Sequence, residues 1–232
     1  MYVLRLCVEA QKHKGESVNR IFVALVAMGG LFFSVSAEES GLFVGVQAGY
    51  GTGKSISEYN GEKTPTKRDG AAYGLIAGYK QFFTQDFGIR YYFNIDFLNT
   101  SGTTVAGENV KANLTNYALN IDTLYNFLTG DIDFGAFLGI GLGANTWSGP
   151  NINTIKSYGK VTTTGFSAHL NVGLRTNIAK YHGIELAIKV PFVPTKLLDV
   201  TFTENDIYRV GDRYKSTAQQ TYNIALRYVF SF

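Results

Sequence analysis

Of the 232 residues one is cysteine, one is tryptophan and four are proline. A lone thiol, Cys7, permits no internal disulfide and no thiolate metal cage, so neither kind of staple organises this chain. Scarce proline beside 26 glycines, 15 tyrosines and 17 phenylalanines leans the composition toward strands. Net charge is only +3, which supplies none of the basic field a nucleic-acid partner requires. Long apolar runs are equally rare. The one present, Ile21 to Phe33, follows Asn19-Arg20 and ends in Ser34-Val35-Ser36-Ala37 before Glu38-Glu39. It is short for a membrane helix and has the three-part layout of a secretory signal, with cleavage expected after Ala37. Residues 1–37 are therefore assigned to a signal peptide, with Val18 as an alternative start, and residues 38–232 to one mature domain. Cleavage removes Cys7, Arg5, Lys12, Lys14, Arg20, Glu9 and Glu16, leaving a domain without thiols and close to neutral.

The mature sequence is dominated by period-two alternation. In the closing stretch Tyr222, Ile224, Leu226, Tyr228, Phe230 and Phe232 share one parity, while Thr221, Asn223, Ala225, Arg227 and Ser231 share the other. The same rhythm recurs at 41–50, 71–82, 87–97, 116–127, 132–143, 165–175 and 184–190, giving eight strands. Links are alternately long (54–69, 99–112, 146–161, 193–218) and short (83–86, 128–131, 177–182). An even number of antiparallel strands with long loops on one rim and short turns on the other predicts an eight-stranded up-and-down transmembrane β-barrel. Closure gives every backbone N–H and C=O an internal partner in hydrocarbon, and the wide, aromatic parity faces lipid. A soluble barrel with its apolar set inside is the competing architecture.

The inward parity then carries Lys80, Arg90, Asp96, Asp122, Asp133, Arg175, Glu185, Lys189 and Arg227. Near-equal signs in a narrow interior predict an interlocked charge network in place of a channel lining. Three motifs invite chemistry. Ala48-Gly-Tyr-Gly-Thr-Gly-Lys54-Ser55 fits a permissive phosphate-loop pattern, but no helix opens after it, and it reads as a strand-to-loop turn. Gly139, Gly141 and Gly143 share one parity and suit a tight lumen face. Ser167, His169 and Glu185 fall on inward faces of neighbouring strands, a set that could acylate or deacylate lipid; an inward histidine held among polar side chains is the plainer reading. No His, Cys or carboxylate spacing indicates a metal, and no cofactor is expected.

Phe87-Gly-Ile-Arg-Tyr-Tyr-Phe93, Tyr181-His-Gly-Ile-Glu-Leu186 with Lys189-Val-Pro191, and Tyr222 to Phe232 resemble blocks of the Helicobacter outer-membrane protein family. The terminal phenylalanine with its apolar parity also resembles the assembly signal of bacterial outer-membrane barrels, carried here by Tyr222, Ile224, Leu226, Tyr228, Phe230 and Phe232. The resemblance implies that large members are adhesins with an extracellular head between the first strand and the rest. Here only Gly51 to Gly70 occupies that place, as in a small, barrel-only member. The expected partners are outer-membrane lipid, lipopolysaccharide, the barrel-assembly machinery and a surface protein or glycan met by loop aromatics Tyr59, Trp147, Tyr158, Tyr208 and Tyr214; no nucleic acid is expected. The expected role at the outer membrane is structural or interaction-mediating and not enzymatic. A small porin and a lipid-modifying enzyme are the alternatives.

Overall fold

Alternation commits the backbone to nine strands: β1 (Gly41–Tyr59), β2 (Glu62–Phe82), β3 (Phe87–Thr103), β4 (Asn109–Leu128), β5 (Ile132–Ser148), β6 (Thr164–Ile178), β7 (His182–Pro191), β8 (Thr195–Thr201) and β9 (Arg213–Ser231). The computed structural model describes residues 39–104, 107–130, 132–178, 180–203 and 209–232. The expected signal peptide with Cys7 and its cleavage site, Asp131 of one short link, Ala179 of another, and Tyr208 lie outside the described residues. Successive strands pair antiparallel from β1 to β7, β7 pairs with β9, and β9 returns to β1. The ring has eight staves, because β8 continues the line of β7 along the other half of β9: Lys189 faces Asn223, and Thr195 faces Ala218. Pro191 and Pro194 bracket the break between them, where neither can donate to the ladder. The seam is closed by Phe43↔Ser231 through Tyr59↔Tyr214 and by the Phe232 N–H on the Leu42 carbonyl at 2.9 Å.

The wide apolar parity points outward. Leu42, Leu119, Leu138 and Leu226 are exposed, with Tyr73 stacked on Phe97 and Phe127 between Tyr125 and Phe134. Tyr222, Ile224, Leu226, Tyr228 and Phe232 lie on this face, and the Phe232 ring meets Phe230 edge-on at 5.1 Å.

The long links are corrected by the structure. A tilted crossing needs about 9–11 residues, yet β1, β2 and β9 contain 19, 21 and 19. Residues 54–69 form a continuous hairpin in register from Lys54↔Lys67 to Tyr59↔Glu62. It turns on Asn60 and Gly61, both at positive φ (48° and 91°), the Asn-Gly geometry that matches strand twist. These strands left no alternation to read because both faces stand clear of lipid. The Ala48 to Ser55 motif is accordingly strand, with a register shift against β9 between Thr52 and Gly53, and not a turn. Residues 99–112 shrink to a link between Thr103 and Asn109. Residues 146–161 contain the end of β5 and a short helix, α1 (Pro150–Lys156), with Pro at its start where an N–H is dispensable. Residues 193–218 contain β8 and the beginning of β9.

Candidate functional site

What a barrel of this width can do depends on its lumen, which is filled at three levels. Toward the short-link rim, which in such barrels faces the periplasm, Phe82, Leu124, Phe137 and Ala187 form one apolar cluster and Phe43, Ile76, Tyr92 and Val229 another. The Arg90 guanidinium lies 4.3 Å from the Phe137 ring centroid and 5.2 Å from that of Tyr92, an arrangement that stabilises a buried cation.

Above them runs a polar belt. Glu185 Oε1 accepts Arg90 Nη1 at 2.5 Å and lies 4.0 Å from Arg175 Nε, while its Oε2 accepts Arg227 Nη1 at 3.1 Å. Asp122 takes Arg90 Nε at 2.9 Å. Arg227 Nε donates to Gln47, whose amide donates to Asp96 at 2.5 Å, and Asp96 also binds the Lys189 ammonium. Asp96 and Glu185 thus join one chain of bonds. β3 and β7 stand diametrically opposite, separated by β4, β5 and β6 one way and by β2, β1 and β9 the other. Arg90 to Glu185 and Asp96 to Lys189 are therefore two braces across the full lumen, with their charges reversed from one to the next.

Asparagines complete the belt. Asn116 accepts from Lys189 at 3.1 Å and Asn94 at 3.0 Å and donates to Asn145 at 2.9 Å and Ser167 at 3.1 Å. Asn120 donates to Asn94 at 2.7 Å and accepts from Asn171 at 2.9 Å. Such pairing is what makes buried charge tolerable, because Arg90, Arg227, Lys189, Asp96 and Glu185 each keep both a counter-charge and a hydrogen bond, although Arg90 Nη2 is left without a partner. Arg175 also donates to Asn126 at 3.1 Å, and Asp133 caps the β4–β5 link by accepting the Gly130 N–H at 3.0 Å. Lys80 is buried near the short-link end of β2. Ser167, His169 and Glu185 are all buried but form no relay: Ser167 meets Asn116, His169 Nε2 meets Asn120 at 2.8 Å, and Glu185 is occupied by arginines. Gly141 lies under the His169 ring, where an added Cβ would collide with it.

The third level was not anticipated. Leu98, Leu114, Trp147, Ile152, Ile155 and Leu197 form the centre of a buried apolar plug beneath α1, with Tyr158 and Tyr214 packed against it. Trp147 is 3% exposed, so it is a core residue and not a surface contact. Tyr158 and Tyr214 lie 5.4 Å apart by ring centroid, and Tyr59 bonds Asp212. Trp147, Tyr158 and Tyr214 therefore belong to the plug and its margin, which corrects their reading as loop recognition groups, whereas Tyr59 stays exposed at the hairpin tip. Apolar Leu98, Leu114 and Trp147 on the inward parity were the available signal.

At the rim itself, Asp199 forms a two-point pair with Arg213 at 2.9 and 3.0 Å and binds Lys196 at 3.2 Å. The Arg213 bonds chiefly, then that of Lys196, hold its carboxyl down at about 2. Asn60 joins the two hairpin tips by donating to Asp212 and accepting the Arg213 N–H, each at 2.8 Å.

Among solved structures, the chain is similar to the outer membrane protein OprG of Pseudomonas aeruginosa at 14% identity and a TM-score of 0.50, over 85% of this chain and 100% of that one. Neisserial surface protein A matches at 12% identity and 0.38, over 84% and 100%, and Ail of Yersinia pestis at 15% and 0.32, over 81% and 98%. No curated protein matches by sequence. Residues 74–232, from the middle of β2 through the terminal strand, match the model described as Helicobacter outer membrane protein. The chain belongs to that family and is a β-barrel of the bacterial outer membrane.

Proposed function

We propose that this barrel has a structural or interaction-mediating role at the cell surface, neither conducting solutes through its lumen nor modifying lipid. The observation that carries the reading is the occupied interior: apolar clusters, crossed ion pairs and an upper plug follow one another along the axis. The cavity bordered by Gln47, Phe137, Lys189 and Arg227 measures about 10 Å³, room for about one water.

What projects is the rim. The upper halves of β2, β1, β9 and β8 form a continuous sheet whose exposed positions include Lys54, Lys63, Lys67, Lys196 and Arg213 against Glu62, Asp69 and Asp199. A rigid surface of mixed charge on the long-hairpin side suits lipopolysaccharide or a polar protein or glycan surface. The lipid-facing exterior meets outer-membrane lipid, and the terminal strand engages the assembly machinery. The deciding experiment is a surface-binding screen with intact protein and a variant in which Gly53 is joined to Arg68 by a tight Asn-Gly turn, run beside single-channel recordings and lipid mass spectrometry of a deletion strain. Binding lost with the hairpin and no stable conductance supports the proposal. Nanosiemens openings assign a porin, and altered lipid A in the deletion strain assigns an enzyme.

A further inference from the structure

Arg68 lies on the inward parity of β2, two pleat repeats above the plug residue Ala72, and is 5% exposed. The wall around it is bare: Gly53 faces it on β1, and a Cβ at Gly102 of β3 would press on the Arg68 Cγ. Its Nε and Nη1 are enclosed and have no hydrogen-bond partner, and no carboxylate among the described residues pairs with it. The three other buried arginines, Arg90, Arg175 and Arg227, each approach Glu185. A carbon of the Trp147 six-membered ring, Cη2, comes within 3.8 Å of a Cβ built at Gly53, the register partner of Arg68, so the plug closes the lumen beside this wall.

An enclosed guanidinium without a counter-charge is costly, and its fork of N–H groups matches the geometry of a carboxylate or phosphate. We propose that Arg68 forms an oxyanion site in the mouth of the barrel that takes a carboxylate or phosphate group. Its access is from the long-hairpin side. Arg68 points to the lumen, away from the outer face on which Lys54 and Lys67 stand opposite each other, so a soluble anion or an acidic group on a surface ligand is the favoured source.

The test uses the purified, folded barrel and follows loss of its folded, heat-modifiable form on heating. Sodium phosphate and sodium acetate are titrated separately, with sodium chloride holding ionic strength constant, and the titrations are repeated in vesicles with and without lipopolysaccharide. In the wild type the midpoint rises saturably with phosphate or acetate. Arg68→Met melts above the anion-free wild type and does not respond. A rise confined to lipopolysaccharide vesicles and abolished by Arg68→Met assigns the oxyanion to a lipid headgroup. No saturable response of the wild type to any of these anions, or an equal response in Arg68→Met, overturns the site.

Discussion

Arg90 and Glu185 join opposite walls of the barrel, Nη1 to Oε1 at 2.5 Å, while Arg227 reaches the other carboxylate oxygen from the strand beside Glu185. One carboxylate therefore serves two enclosed guanidinium groups, and neutralising it removes the carboxylate that Arg227 meets and leaves Arg90 with Asp122 alone. Glu185→Gln should lower unfolding free energy by about 3–5 kcal/mol, the usual consequence of breaking a buried pair from one side. Replacing Arg90 by Met as well should restore part of the loss. Urea titration of the barrel in lipid vesicles measures both, and additive losses would show that the brace does not act as a pair.

Trp147 and the apolar plug are expected to hold stability without serving as a gate. Trp147→Ala should cost about 3–5 kcal/mol as a large buried side chain is deleted. Planar-bilayer recordings of this variant should still show no stable large-pore openings, because the crossed ion pairs below remain. Wide, reproducible openings in the variant would place the seal in the plug alone.

Deletion of Phe232, or its change to Asp, should leave export and signal cleavage intact and abolish assembly. The ring is 70% exposed, so the folded barrel loses little packing with it, whereas recognition of the terminal strand loses its last apolar position. Fractionated membranes show the outcome: normal amounts of heat-modifiable barrel would refute an assembly role.

Acid should loosen the rim in a defined window. Asp199 is depressed by its bonds to Arg213 and Lys196 to about 2, below the unfolded carboxylate value of about 3.9. Its contribution is fully present above the unfolded value and disappears as pH falls through the folded one. Protection of β8 and the start of β9 in hydrogen exchange, corrected for intrinsic rate, should hold down to about pH 4 and fall toward pH 2. Asp199→Asn should weaken protection at neutral pH and flatten that profile.

The staves were legible because lipid imposes a strict parity: Phe87, Tyr91 and Phe93 cannot share a face with Arg90 and Asn94 in any other extended register. Height along the axis was not legible. Parity states that Arg90 and Glu185 point inward, but their meeting across the lumen depends on how eight registers add up around the ring. The rim escaped for a different reason. Above the membrane both faces of β1 and β2 are polar, so pairing there leaves only the Asn60-Gly61 turn as its trace. The plug was hidden by its apolar character, since Leu98 and Trp147 contradict the rule that the inward parity is polar.

The seam between β1 and β9 pairs residues more than 150 positions apart, as in Tyr59↔Tyr214, while the other neighbouring staves are joined by local hairpins. Local hairpins can form early, but joining distant ends carries the greatest entropy of closure and comes late. Until then the chain is an open sheet with two unpaired edges, prone to pairing with its neighbours. The wall with the greatest need of chaperoning is therefore the one at which the terminal strand docks. A shortened polypeptide lacking either edge would remain an open sheet, whatever the stability of its hairpins.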